Sequence, residues 1–470
     1  MKINSLVRHL VLAVCVCISA EMAAQNTPVS PIQGFLAPVL VTEAPQTPVT
    51  PDEHPLSGGQ ILGIGSWGPR HSFLTPSLRL SETLDSNPLL QTPSDGGYRG
   101  FTNVGGGVQW MQYLGRDAEI RYAGALRYDT MARLQGYSPF INAHSAAISK
   151  VIPFRTWNLL IDDEAQYSDG SNFGAAGLEG MDLLVTQTNP WGGLPNLQLT
   201  STSLQPNLTP NQSILTARVG RIANTTLIEA DAHIDARDTA TLAASYGLLH
   251  FNSSLLADTG QTSFVAGYNR TMTVRNSIGL EGAFTRFNFQ DPSSSISTEY
   301  FSLLYARRIS GRSAIEVGGG PQITQSLVSR ANQTYLGWQG RATVQYRTRT
   351  MNLSAVGLHA VSGGAGVLDG VTSTTGQGTV EFVAARYWSM SLNSGVSRNQ
   401  QLNSNQRYEV QFAGIALHRK TGPFTNLFLS YDFQRQTTSS VCTGPICGYV
   451  GMRNVFGIGF AWTYHPIGVE

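Results

Sequence analysis

The chain has 470 residues, with 31 Lys+Arg against 30 Asp+Glu, and only 13% of its residues are charged, about half the share usual in a soluble globular protein. Water-facing surface is therefore scarce, and the near-zero net charge gives no electrostatic reason to expect nucleic acid as a partner. No stretch after residue 20 approaches the run of about 20 apolar residues that a membrane helix requires, which argues against a helical membrane protein.

In chain order, Lys2 and Arg8 precede an apolar run from Leu10 to Ala20 and the small residues of "AEMAAQ", which together read as a signal peptide over residues 1–24. Cys15 and Cys17 fall inside that run. The residues before them, Val14 and Val16, match a lipoprotein cleavage box poorly, so plain secretion is the preferred reading. Residues 25–70 are rich in Pro, Thr and Val, a composition that favours extended chain, and they read as a periplasmic N-terminal arm able to meet a periplasmic partner. Within the arm, "GIGSWG" has the letters of a dinucleotide fingerprint, but Pro69 follows and no amphipathic helix comes after it. It carries no weight.

Residues 71–464 repeat one unit: an alternating segment of about ten residues, a short polar turn, a second alternating segment and a longer polar loop. In "DAEIRYAGALRYD", Ala118, Ile120, Tyr122, Leu126 and Tyr128 share one face, while Asp117, Glu119, Arg121, Arg127 and Asp129 share the other. "LIEADAHID" opposes Ile228, Ala230, Ala232 and Ile234 to Glu229, Asp231, His233 and Asp235. Short turns such as "LGRD", "DARDTA", "MTVRN" and "RISGRS" alternate with long stretches at 130–139, 169–212, 253–261, 290–297, 324–333, 362–375, 400–406 and 436–452. That asymmetry belongs to outer-membrane barrels. Counted with 213–236 as one long strand, the segments predict an all-β, transmembrane antiparallel up-and-down β-barrel of about 18 strands, 16 being the alternative.

The last strand, "VFGIGFAWTY", sets Phe456, Ile458, Phe460, Trp462 and Tyr464 against Gly457, Gly459, Ala461 and Thr463. A barrel that closes its last strand onto its first needs such an apolar outer face there, and the small face suits a crowded interior. Residues 465–470 form a short C-terminal tail, so the chain does not stop at the aromatic residue with which such barrels typically end.

The stretch "LTPSLRLSETLDSNP" (Leu74 to Pro88) resembles the first strand and loop of β-barrel porins of Gram-negative bacteria, and "ISGRSAIEVGGGP" and "DARDTATLAASYG" are similar to the turn-and-strand units of the same families. The resemblance spans most of residues 72–464 and rests on strand grammar. It implies a place in the outer-membrane lipid, assembly by the barrel-assembly machinery and a role as a channel or in envelope export. It brings no catalytic residues.

The candidate pore-lining groups are Glu119, Arg121, Arg127, Asp129, Asp162, Glu164, Glu229, Asp231, His233, Glu316 and Arg341. In a wide barrel such groups set the field in the pore; equally, they form neutralising pairs across neighbouring strands. Segment 169–212 is too long for an ordinary hairpin loop and reads either as a lumen constriction or as an external lid. Cys442 and Cys447, in "VCTGPICG", can close a small disulfide loop, whereas two thiols without a nearby His or second pair cannot complete a zinc shell. The His residues are scattered without metal spacing and no Ser sits in a nucleophile elbow, so no metal, cofactor or catalytic set is expected. A barrel lipase is the one enzymatic arrangement that sequence leaves open. The expectation is a porin-like channel for passive diffusion of small hydrophilic solutes; the alternatives are an envelope polysaccharide export or assembly barrel, and a surface adhesin or receptor acting through its loops.

Overall fold

The computed structural model describes residues between 72 and 468, apart from 88–97, 115–117, 130–139, 169–219, 253–255, 290–293, 440–449, 465–466 and single or paired positions in the turns. The signal peptide and the N-terminal arm expected from sequence, the segment 169–212, and Cys442 and Cys447 all lie outside the described residues. The strands are β1 (Phe73–Asp85), β2 (Arg99–Tyr113), β3 (Ala118–Asp129), β4 (Phe140–Pro153), β5 (Trp157–Ser168), β6 (Arg221–His233), β7 (Asp238–Phe251), β8 (Thr259–Thr273), β9 (Asn276–Phe289), β10 (Ser295–Ser310), β11 (Ser313–Val328), β12 (Ala331–Arg347), β13 (Met351–Ser362), β14 (Val371–Ala385), β15 (Trp388–Gln401), β16 (Arg407–Lys420), β17 (Thr425–Thr438), β18 (Gly451–Thr463) and the two-residue β19 (Ile467–Gly468).

Each of β1 to β17 pairs antiparallel with its successor, and β18 returns to β1 in a register running from Ser77↔Thr463 to Asp85↔Val455. The sheet is therefore a closed ring of eighteen strands. β19 adds a short pairing to the start of β1, Phe73↔Gly468 and Leu74↔Ile467. Strands of 12 to 17 residues exceed the roughly 9 to 11 that a tilted strand needs to cross hydrocarbon.

Alternation sorts the side chains between two solvents. On the outer face one row along the hydrogen-bonding direction reads Ile161, Ile228, Ala244, Phe264, Phe284. The next row toward the long-loop end reads Asp163, Thr226, Tyr246, Thr262, Arg286, so the apolar belt ends there and polar wall begins. Leu242 (63% exposed), Leu303 and Ile458 stand out from this belt, an arrangement water would penalise and hydrocarbon rewards. Trp110, Trp157, Trp388 and Trp462 all sit on the outer face near the short-turn ends of their strands, the position of an interfacial girdle. Phe154 stacks on Trp157 at 3.9 Å and the Arg419 guanidinium lies over Trp388 at 5.2 Å.

The inner row reads Asp162, Leu227, Ser245, Ser263, Thr285, Thr298, Thr324, and every member is buried. The short turns owe their tightness to one device. Asp235 accepts the amides of Arg237 (2.6 Å) and Asp238 (2.9 Å), Thr273 those of Arg275 and Asn276, Ser310 that of Arg312, and Thr348 that of Met351. The Arg237 amide, foremost, holds the exposed Asp235 carboxyl below the usual carboxylate range.

Strands run further toward the long-loop end than the sequence suggests. The stretch 324–333, expected as a loop, is mostly sheet: β11 continues to Val328 and β12 resumes at Ala331. Its inward Thr324 and Ser326 are buried, while the paired Gln325 and Thr334 take the outer face, so the ladder runs on where polar residues enter the outer face. The strand expected over 213–236 is described from Arg221 to His233.

Closure is locked by charge. At the β1–β18 seam the Arg453 guanidinium donates two bonds to Asp85 Oδ2, from Nε at 3.0 Å and from Nη2 at 2.5 Å, and both residues are buried. Removing one partner of a buried pair strands the other charge, a loss of about 3–5 kcal/mol. Arg453→Met is therefore expected to lower the urea midpoint of the refolded barrel sharply, and Asp85→Leu combined with it to recover most of the loss. Equal midpoints for the wild type and Arg453→Met would contradict the lock.

Candidate functional site: the inner wall and the long-loop mouth

Strand register fixes what faces inward. Along β18 the inward positions include Arg453, Gly457, Gly459 and Ala461, and a Cβ on Gly459 would overlap the ring of Phe428, a buried inward residue of β17. The small face of the last strand thus makes room for a neighbour's aromatic ring.

Hydrogen bonds join several neighbouring inward side chains. Thr285 donates to Ser263 at 3.1 Å, Gln261 Nε2 to Ser263 at 3.2 Å, and Gln322 Nε2 to Thr298 at 2.6 Å; Gln339 Nε2 bonds Ser302. The main ionic group of the inner wall links four strands. Arg341 on β12 reaches Glu281 Oε2 on β9 (3.3 Å) and Glu316 Oε1 on β11 (3.3 Å), while the Tyr300 hydroxyl on β10 donates to Glu281 Oε1 at 2.6 Å. A guanidinium carries enough donors to meet both acids at once.

Asp162, Glu229, Asp231 and Arg341 lie on this inner face and are buried, with Glu316 half-buried beside Arg341. Asp231 accepts the Thr241 hydroxyl at 2.5 Å. The side chains of Glu119, Arg121, Arg127, Asp129, Glu164 and His233 lie outside the described residues. Sequence reasoning missed Glu281, Asp85 and Arg453. Glu281 had a signal: it is the lone acid in the apolar run "SIGLEGAF", on the face opposite Ile278 and Leu280.

At the long-loop end, Val367 and Leu368, in the connection between β13 and β14, fold onto the wall. Leu368 packs with Val371 and Tyr408 of β14 and β16, with Val367 and Val450 against them. Val367 also packs on Leu249, Phe251 and Leu256 of β7 and its following loop. β7 and β16 lie half-way round the ring from each other, so one side chain bridges opposed walls. Beside it, Phe287, Phe289, Ile296 and Val361 form a further apolar cluster joined by Leu402. Backbone bonds hold the segment in shape: Val367 N and Leu368 N donate to Gly364 O, and Leu402 N donates to Gly370 O. Gly364 and Gly370 adopt positive φ, 82° and 78°.

No protein-family model and no curated protein matches the sequence. Among solved structures, Acinetobacter baumannii OccAB3 is 8% identical with a TM-score of 0.42, over 84% of this chain and 99% of that one. Pseudomonas aeruginosa OccK9 (OpdG) is 11% identical with a TM-score of 0.44, over 84% and 98%. P. aeruginosa OccK2 (OpdF), in a complex with glucuronate, is 9% identical with a TM-score of 0.42, over 85% and 98%. The strand count, closure and two-faced wall stand on this chain's own geometry.

A side chain at Gly370 meets both a positive φ and the Ile296 side chain, whereas one at Gly376 meets open space. Gly370→Val is expected to cost about 1–3 kcal/mol from backbone strain and overpacking, read as a lower urea midpoint, with Gly376→Ala unchanged. Equal midpoints for the two would mean that the mouth segment is not packed as described.

Proposed function

We propose that this protein is a porin-like channel of a Gram-negative outer membrane, passing small hydrophilic solutes by passive diffusion through a barrel whose long-loop mouth is narrowed by Val367 and Leu368. The observation that carries the reading is the pairing of an apolar outer belt with an inner wall of Ser, Thr, Gln and charged groups on one closed ring. Hydrocarbon tolerates no unpaired backbone, and closure removes every edge; a polar interior is what a solute path requires.

Several finer points belong to the same reading. The short turns and both termini face the periplasm, the long loops face outward, and a signal peptide over residues 1–24 directs export to the barrel-assembly machinery. The arm over 25–70 then lies on the periplasmic side, where a partner can meet it. Asp162, Glu229, Asp231, Glu281, Glu316 and Arg341 set the field along the path, and no step of covalent chemistry is assigned to them. Export of an envelope polysaccharide is a variant of the same transport role, whereas an adhesin would act through its loops alone.

Single-channel recording of the refolded barrel in a planar bilayer tests this directly. Steady conductance steps are expected, and replacing Val367 and Leu368 with Ser is expected to enlarge them by loosening the mouth. Silence from both proteins, with heat-modifiable migration demonstrating folded barrels, would overturn the channel reading in favour of a closed scaffold or surface receptor.

A further inference from the structure

Glu229 is anomalous on the inner wall. It is 1% exposed, and among the described residues no donor reaches its carboxylate oxygens, the side chain set against them being another acid, Asp231. The charged group that faces it is Asp231, a like charge already bonded to Thr241, and Asp162 lies diagonally across on β5. A buried carboxylate without donors is strongly disfavoured, because nothing replaces the water it has lost.

The wall offers no described cation to relieve it. Arg341 is held by Glu281 and Glu316, and Arg453 by Asp85. Arg221 shares the strand but sits eight residues away, about 26 Å at strand rise. A single metal ion does not fit either, since no described group of three or more His, Cys, Asp or Glu is arranged to hold one. A larger cation that spans spaced carboxylates carries the donors that the described residues do not supply.

The surroundings give that cation a second feature. Glu229 lies in register with Leu160 and Ala243, and the row continues through Val265 to Ala283. Leu160, Leu227, Ala243 and Val265 form one apolar cluster with Ala283 against it. Carboxylates thus border one of the apolar patches of the inner wall. We propose that the inner wall of β5 to β8 is a docking subsite for amphipathic organic cations, in which Glu229, flanked by Asp162 and Asp231, receives a guanidinium or primary ammonium head and the Leu160–Val265 floor receives its apolar stem.

Planar guanidinium satisfies this pattern best, because its N–H groups address two acceptors at once and it is weakly hydrated. The subsite rests on the channel reading, since the solute reaches it from the lumen, and its test must fail separately.

Titration calorimetry of the refolded barrel with butylguanidinium, alongside tetramethylammonium, is that test. Butylguanidinium is expected to bind the wild type, with affinity falling about tenfold or more in Glu229→Gln for the lost charge-assisted bonds, and less steeply in Asp162→Asn. Tetramethylammonium, which has charge but no donors, is expected to bind far more weakly. Folding of each variant is verified by heat-modifiable migration, and Asp162→Asn carries the comparison if Glu229→Gln does not fold. Equal affinity in the wild type and the folded variants, or equal binding of the two cations, would overturn the subsite. Conductance without butylguanidinium binding removes the subsite and leaves the channel; binding through Glu229 without conductance keeps the subsite and removes the channel.

Discussion

Everything in this molecule depends on β18 finding β1. In hydrocarbon an unpaired strand edge has no water to satisfy its N–H and C=O groups, so an open sheet of seventeen good ladders would still fail at its two ends. The seam from Ser77↔Thr463 to Asp85↔Val455 removes both edges. At its long-loop end, Ser86 N donates to Asn454 O and Asn454 N to the Ser86 hydroxyl, beside the buried Arg453–Asp85 pair. A charge pair is a strange glue in a membrane protein. Facing inward it touches no lipid, and because each partner is useless without the other it fixes register as well as closure.

Closure then dictates composition. With strands alternating, every residue belongs to lipid or to the interior, and the two demand opposite chemistry. Phe456, Ile458 and Phe460 meet lipid, while Gly457 and Gly459 yield space to Phe428 and its neighbours. The scarcity of charge follows from the same division, since half of each membrane-crossing strand is denied it. The charges that remain concentrate inside, where Arg341 binds two acids and Glu229 has no described cation beside it.

Alternation made the strands, the ring and the two faces legible in the sequence, because period two is the one signal that survives without neighbours in view. The inner placement of Asp162, Glu229, Asp231, Glu316 and Arg341 followed from it. Strand ends were less legible. Over 324–333 polar Gln325 joins Leu327 on the outer face while the ladder continues, so the loss of clean apolar alternation does not mark an end of sheet. The Arg453–Asp85 lock was invisible, since its partners are 368 residues apart and nothing local marks them. The mouth segment left only a faint trace, Val367 and Leu368 in a glycine-rich stretch, because its meaning depends on walls contributed by β7 and β16.

The central claim, a ring closed in one register, is tested most directly by cross-linking the seam in the membrane. With the native cysteines replaced by serine, Leu80→Cys and Phe460→Cys stand opposite each other on the outer face, at the separation that antiparallel neighbours and disulfides share. Mild oxidation of membranes carrying this pair should circularise the chain and shift its gel mobility, whereas Leu80→Cys with Ile458→Cys should stay linear. Efficient coupling of the offset pair, or none of the registered one, would contradict the closure from which the rest of the account descends.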